Sequence, residues 1–472
     1  MREYDVTIGL EIHAELNTAS KAFCKCSTIF GALPNTQVCP VCLGFPGALP
    51  LVNRKAVEYT IMAGLALGSS INNIAVFERK NYFYPDLSKS YQISQLDNPI
   101  CIGGGITLSN GKYIRFNRIH LEEDAGKLIH SNENDCTYVD FNRCGVPLIE
   151  MVTEPDFENS NEVVEFLNKL KQTLVHIGVS NCKMEEGGFR MDVNISVKEK
   201  NSKDYGTRVE LKNINSFKIV SAVIEYEKNR QINLLESGAT VSRETRGWDE
   251  DKEQTFLLRV KESENDYRYF PDPSILPIEI SEKDVQRIAK KLPQSINDVF
   301  DNYRSIGLSN NQIEILTNKN LTRYFDSVNS IVCNPKEVIN WLLVDCLKLL
   351  KEFDVDVLIK ILPPSELAQI IQMVLDGSIT RVNGKNLIEE VVNTGKSVKK
   401  LLLEMDLMGD VSKIDVVNLI NDLLRTNPAL KSDYLANKDN VTNYFIGQIM
   451  KSTNGKARAE YIIPLLKNIL EK

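Results

Sequence analysis

The chain opens with alternation: Val6, Ile8, Leu10 and Ile12 are apolar, and Glu11 and His13 share the opposite parity. Successive side chains of a strand point to opposite sides, so this pattern predicts a strand with one buried face. Two later stretches repeat it. Across 189–197, Met191, Val193, Ile195 and Val197 oppose Arg190, Asp192 and Asn194; across 207–212, Val209 and Leu211 oppose Arg208, Glu210 and Lys212. The apolar run 146–152 reads as a further strand, interrupted by Glu150. Helical spacing marks 55–67 (Val57, Ile61, Leu65), 162–175 (Val163, Leu167, Leu170, Leu174) and 216–235. Ser281 is placed as the cap of a helix ending near Pro293, and past it the stripes are mostly helical, as at Val338, Trp341, Leu342 and at Val416, Leu419, Leu423, with Ser365 and Ser412 placed as caps, the latter outside the residues described below.

The expected fold is therefore α+β. A largely antiparallel sheet has one apolar face and one face crowded with Glu, Asp, Arg and Lys, and a helical remainder follows. Boundaries near 293 and 400 divide the 472 residues into 1–292, 293–400 and 401–472. A net charge of −7 excludes a protein that coats nucleic acid or membrane by bulk attraction. The longest weakly polar run, 61–76, is broken by Ser69, Ser70, Asn72 and Asn73 and is too short to span a bilayer. With no apolar signal core at the N-terminus, the expected location is the cytoplasm.

Chemistry concentrates at 118–127, where Glu122, Glu123 and Asp124 are consecutive and Lys127 follows a turn at Ala125-Gly126. Such a cluster is either a solvated turn or a site for a hard cation such as Mg²⁺. Glu11 beside His13 can bind a metal, move a proton, or simply pair at the surface. Cys24-Lys-Cys26 and Cys39-Pro-Val-Cys42 have the spacing of a closed tetrahedral zinc site that pins a loop; the alternative is four reduced free thiols. The segments 79–86 (Arg-Lys-Asn-Tyr-Phe-Tyr-Pro-Asp) and 266–273 mix cations with aromatics, which either grip a nucleotide or an RNA end or pack on the core. No Walker A loop and no Gly-x-Ser-x-Gly elbow is present, so any use of ATP would run through carboxylate-held Mg²⁺ on a sheet.

The runs at 8–13 (Ile-Gly-Leu-Glu-Ile-His), 79–86, 91–95 (Tyr-Gln-Ile-Ser-Gln), 120–127, 183–187 (Lys-Met-Glu-Glu-Gly), 210–213 (Glu-Leu-Lys-Asn) and 266–271 resemble the B-subunit family of the aspartyl/glutamyl-tRNA amidotransferases. The resemblance covers essentially the whole chain. It implies a cradle domain over 1–292 akin to the glutamine synthetase catalytic domain, a helical domain over 293–400, and a YqeY-like tail over 401–472. It implies a carbon–nitrogen ligase that uses ATP to phosphorylate the side-chain carboxylate of Glu on tRNA(Gln) or Asp on tRNA(Asn). Ammonia from a glutaminase A subunit then gives the amide, and a small C subunit completes a heterotrimer.

By the same resemblance Glu11, His13, Glu123 and Glu150 match the Mg²⁺ pocket, Asp192 and Glu210 line it, and Cys24, Cys26, Cys39 and Cys42 match the zinc loop. Lys80, Asn81, Tyr82, Lys127, Arg190 and Arg268 are the expected cofactor contacts. In the tail, a loop after a helix over 440–450 that buries Tyr444, Phe445 and Ile449 is expected to offer Lys451, Lys456 and Arg458 to tRNA phosphates. Two other readings compete: a zinc-stabilised tRNA adaptor without catalysis, and a free-standing ammonia-dependent amide ligase. The acidic face argues against the first and the helical last third against the second.

Overall fold

The computed structural model describes residues 3–131, 135–200, 202–260, 267–319, 321–346, 348, 355–405, 407, 413–436, 438–453, 457 and 459–470. The chain divides into two compact units, 1–298 and 299–472. In the first unit the strands run β1 (Tyr4–Glu15), β2 (Ser70–Ile71), β3 (Ile74–Ala75), β4 (Glu78–Asn81), β5 (Tyr91–Ser94), β6 (Cys101–Ile102), β7 (Gly105–Thr107), β8 (Tyr113–Glu123) and β9 (Lys127–His130). They continue as β10 (Thr137–Asp140), β11 (Pro147–Thr153), β12 (Phe189–Glu199), β13 (Val209–Lys212), β14 (Glu244–Asp249), β15 (Gln254–Val260), β16 (Phe270–Pro271) and β17 (Ile278–Glu279). Helices α1 (Arg54–Ala66), α2 (Ser160–His176), α3 (Phe217–Glu236) and α4 (Glu282–Ala289) interleave with them.

Ten of these strands form one sheet in the order β15-β14-β13-β12-β1-β11-β8-β6-β2, with β7 also paired to β8. Its pairings are antiparallel except that of β13 with β14, and α3 lies in the long connection a parallel pair needs. The alternation in β1 has the expected result. Ile8, Leu10 and Ile12 are buried in one core with Met191, Val193 and Ile195 of β12, Val163, Leu167, Leu170 and Leu174 of α2, and Val220, Val223 and Ile224 of α3. Asn159 caps α2 and Ser216 caps α3, each accepting a backbone N–H of the first turn. Ser281 caps α4 in the same way, and α4 ends at Ala289, short of Pro293.

A second, three-stranded sheet in the order β16-β4-β5 brings the two aromatic, charged segments together. Arg79 lies opposite Phe270, its Nε donates to Asp272 Oδ2 at 2.7 Å, and its guanidinium covers the Tyr91 ring. Asn81 Nδ2 donates to the carbonyl oxygens of Tyr267 and Arg268.

The second unit is helical, with two separate apolar cores. One gathers Tyr324, Phe325, Trp341, Leu367, Ile370 and Leu387; the other gathers Val416, Ile420, Tyr434, Phe445, Ile449 and Ile462. Two expectations fail here. The helix Pro364–Leu375 starts with Pro363 at its cap, so Ser365 lies inside its first turn and caps nothing. Phe445 and Ile449 are buried in the helix Lys438–Ser452, but Tyr444 is 40% exposed, because adjacent helical residues point about 100° apart. Among the described residues no helix is long and apolar enough to cross a membrane.

Gly64 in α1 faces β6 at close range. A Cβ there would lie 2.4 Å from Cys101 Sγ and 3.1 Å from Cys101 Cβ, and Cys101 is fully buried. Gly64→Val should therefore overpack this contact by about 2 kcal/mol, seen as a lower denaturation midpoint at unchanged m. Adding Cys101→Ala should restore part of the loss.

Candidate active site

The polar face of the large sheet is built by strand register. Arg190 of β12, His13 of β1, Glu150 of β11 and His120 of β8 stand opposite one another in a single row across four strands. One step along β1, Glu11 stands opposite Asp192. On β8, Ile119 and Leu121 enter the core, so His120 and Glu122 share the polar face.

Two clusters result. In the first, His13 Nε2 lies 3.3 Å from Glu122 Oε1 and 3.5 Å from Glu150 Oε2, and His120 Nε2 lies 3.4 Å from Glu150 Oε2. Burial alone would lower the pKa of His13, but hydrogen bonds to Glu122 and Glu150 and their charges raise it to about 10. For Glu150, burial acts to raise the pKa, yet His120 and His13 hold the carboxyl well below its ordinary range. In the second cluster Glu11, Asp192 and Glu210 converge, with the Lys212 ammonium bonded to Asp192 and 3.4 Å from Glu210. Burial, then the charges of Glu150, Glu210 and Asp192, push Glu11 up, while Lys212 pulls it down. Thr245 donates to Glu210 at 2.7 Å and Asn194 to Glu11 at 3.0 Å, which orients both carboxylates. Each trio, His13–Glu122–Glu150 and Glu11–Asp192–Glu210, offers ligand atoms within 4.8 Å of one another, close enough to hold one cation.

Lys80 reaches this face from β4. Its ammonium lies 5.1 Å from the ring centre of Tyr267 and 6.0 Å from that of Tyr82. Burial would lower the Lys80 pKa, but Tyr269, Glu150 and Glu122 raise it, so it stays charged. Tyr82, Tyr267 and Tyr269 meet edge to face at 6.1 and 6.2 Å between centroids and wall this side of the clusters.

The three consecutive carboxylates go three ways. Glu122 joins the first cluster. Glu123 points to the other face of the sheet, where its oxygens lie 2.5 and 2.6 Å from Lys89 Nζ and Ile93 N–H donates to it at 3.0 Å. Asp124 pairs with Arg190 at 2.7 Å and with Arg143 at 3.4 Å. Burial acts to raise Asp124, but these arginines hold it low, while the neighbouring Glu15 is pushed up to about 7 by burial and by the Asp124 charge.

The expectation that Glu123 sits with Glu11, His13 and Glu150 is thus corrected: strand alternation puts Glu122 there instead. His120 was not foreseen, although the apolar parity of Ile119 and Leu121 signals both residues. Among the expected cofactor contacts, Lys80 and Tyr82 face the clusters, and Arg190 lies in the row but is bonded to Asp124. Asn81 is engaged with backbone, and Lys127 and Arg268 are exposed.

Cys24, Cys26, Cys39 and Cys42 form a separate group, with all four sulfurs within 4.8 Å of one another and those of Cys39 and Cys42 3.9 Å apart. Buried Lys21 approaches Cys42 Sγ at 3.6 Å. The hydrogen bond with Cys24, assisted by Cys39 and the Lys21 charge, outweighs burial and draws Cys42 down to about 4. In the second unit, Lys451 is exposed near the end of its helix, while Lys456 and Arg458 lie outside the described residues.

A family profile described as the GatB/GatE catalytic domain matches residues 6–286, and one described as the GatB domain matches residues 323–470. The chain is 45% identical over 479 residues to the B subunit of the aspartyl/glutamyl-tRNA(Asn/Gln) amidotransferase of Caldicellulosiruptor saccharolyticus, covering 100% of both. It is 42% identical over 475 residues to the protein of the same name from Thermodesulfovibrio yellowstonii, again covering 100% of both. The like-named protein of Persephonella marina is 41% identical over 475 residues, covering 99% of this chain and 100% of that one.

The Glu123–Lys89 pair is buried on both sides, so removing one partner strands a charge. Lys89→Met should cost about 3 kcal/mol of unfolding free energy, and Glu123→Gln added to it should recover much of that, as a double-mutant denaturation cycle would read.

Proposed function

Since this chain belongs to the B-subunit family of the aspartyl/glutamyl-tRNA(Asn/Gln) amidotransferases, we propose that its acidic sheet face is where ATP activates the side-chain carboxylate of Glu-tRNA(Gln) or Asp-tRNA(Asn) for amidation. The observation that carries this reading is the pair of carboxylate clusters flanked by Lys80 and Lys212 on one face. Anionic ligands for a cation beside cationic partners for phosphate are what phosphoryl transfer needs. In the proposed sequence a carboxylate oxygen of the substrate attacks the γ-phosphorus of ATP and ADP leaves. Ammonia then attacks the acyl carbon of the acyl phosphate and expels phosphate, leaving the amide.

The all-carboxylate trio Glu11, Asp192 and Glu210 has the hard oxygen donors that suit Mg²⁺, and His13, Glu122 and Glu150 offer a second, mixed nitrogen–oxygen set. Mg²⁺ bound there would neutralise charge developing on the phosphate oxygens. Lys80 and Lys212 contribute positive charge to the same oxygens. Tyr82, Tyr267 and Tyr269 shield the reacting centre from water, which competes with ammonia for the acyl phosphate.

The ammonia source is a glutaminase A subunit, and a small C subunit joins the two. The many-stranded antiparallel sheet with metal-ligating carboxylates on one face supports the likeness of 1–292 to the glutamine synthetase catalytic domain. The two cores of the second unit support its division into a helical domain and a YqeY-like tail that holds tRNA through Lys451, Lys456 and Arg458. The four clustered sulfurs support a structural zinc ion with no open position for substrate.

Two outcomes follow. With ammonium chloride as nitrogen donor, Glu150→Gln or Glu122→Gln should reduce amidation of Glu-tRNA(Gln) roughly 100-fold or more, while Glu123→Gln should act on stability first. Activity at the wild-type level in the first two variants would refute the assignment. Metal analysis of chain purified without chelator should give one zinc per chain, and Cys39→Ser with Cys42→Ser should lose it and lower the unfolding temperature.

A further inference from the structure

The cations on the polar face of the sheet differ in how they are engaged. Lys212 is bonded to Asp192, and Arg190 to Asp124 at 2.7 Å. Arg118 of β8, half-buried, makes no ion pair among the described residues. Its one hydrogen bond there runs from Nη1 to Asn117 Oδ1 at 3.3 Å, and its buried Nε has no partner. Asn117 is itself fixed, donating from Nδ2 to Glu154 Oε1 at 2.8 Å. A partly desolvated guanidinium, with all but one of its donors idle, is costly unless an anion meets it.

Register fixes where Arg118 stands. Val152 of β11 lies opposite Arg118 on one side and opposite Glu11 of β1 on the other, so the three share one row. Two strand spacings, about 10 Å, separate the backbones of Arg118 and Glu11. Along β8, His120 and Glu122 follow Arg118 on the same face. The Tyr269 hydroxyl lies within electrostatic reach of Arg118, Lys80, Glu150 and Glu122 together. Arg118 thus sits with the His13–Glu122–Glu150 cluster, whereas Lys212 sits with Asp192 and Glu210.

The reaction needs a cation on each side of the moving group. Phosphoryl transfer carries a doubly charged group from the nucleotide to the substrate carboxylate. Once ADP has left, the acyl phosphate keeps that charge and must stay in place until ammonia attacks. Lys212 serves the nucleotide side; Lys80 and Arg118 remain for the acceptor side. Arginine suits that task, because its planar fork meets two phosphate oxygens at once. We propose that Arg118 is a catalytic residue that holds the phosphoryl group of the acyl phosphate, exchanging its long bond to Asn117 for phosphate oxygens. The proposal rests on the reading that this face transfers phosphate from ATP. Ammonia attacks the acyl carbon, and the carbon–oxygen bond to phosphate breaks with its electron pair going to that oxygen. The nitrogen loses one proton, which the departing phosphate takes up. An acyl phosphate that is not held is open to water, and to the α-amine of the same glutamyl group, which closes a lactam and also releases phosphate.

The assembled amidotransferase carrying Arg118→Gln or Arg118→Lys is assayed with ammonium chloride as nitrogen donor, at varied ATP and at varied Glu-tRNA(Gln). ADP, amide and lactam are measured together. Arg118→Gln should lower kcat for amidation roughly 100-fold, with both KM values within about twofold of wild type. The ratio of ADP to amide should rise several-fold, with free glutamate ester or lactam making up the difference. Arg118→Lys, which keeps the charge but not the fork, should recover part of the rate and of the ratio. A lower rate at an unchanged ratio overturns the proposal, because a misfolded or merely slower enzyme loses both products together. A rise confined to the KM for ATP would assign Arg118 to the nucleotide, and one confined to the KM for Glu-tRNA(Gln) would assign it to the tRNA backbone. Either overturns the proposal, as do wild-type constants in both variants. Wild-type enzyme that amidates without consuming ATP would instead refute the phosphoryl-transfer reading itself.

Discussion

Most of the carboxylates that the large sheet gathers on its polar face have a positive partner, and strand register supplies many of those partners. Glu150 stands between two imidazoles, Asp192 and Glu210 share the ammonium of Lys212, and Asp124 takes two guanidinium groups. Without those partners so many buried negative charges would repel one another at a large cost in stability. The same constraint suits chemistry. A face already balanced by side-chain cations can exchange some of them for a metal ion and a polyphosphate without a large change in net charge.

Much of this was legible in the sequence because a strand has a strict period of two. The parity of Val6, Ile8, Leu10 and Ile12 fixes Glu11 and His13 on the far side, and the same reading of β12 and β13 places Asp192 and Glu210 beside them. The failure at Glu123 came from taking one of three adjacent acids from the resemblance without checking it against the alternation, which must separate neighbours. Ile119 and Leu121 carried the information. Ser365 and Tyr444 failed for different reasons: helix ends are poorly marked by local composition, as at Pro363, and Tyr444 cannot share the buried stripe of its neighbour Phe445 when helical residues turn by about 100°.

What the sequence could not supply was convergence. Nothing in 79–86 or 266–273 says that these segments pair with each other, yet β4 and β16 do. That pairing sets Tyr82, Tyr267 and Tyr269 around Lys80. Nor does the guanidinium of Arg118 announce itself until Lys212 and Arg190 are seen to be engaged with carboxylates. Long-range pairing and the direction of single side chains are where sequence periodicity gives out.

The place of β1 has a consequence for synthesis. This strand is made well before its two neighbours in the sheet, β11 and β12, which end only at Thr153 and Glu199. At ribosomal speeds of about 5–20 residues per second, both edges of an apolar strand stay uncovered for on the order of ten seconds. During that interval β1 has no native sheet neighbour, and an open edge can pair with any extended segment nearby. The strand that organises the finished face is therefore also one whose edges must wait for their partners while the chain is growing.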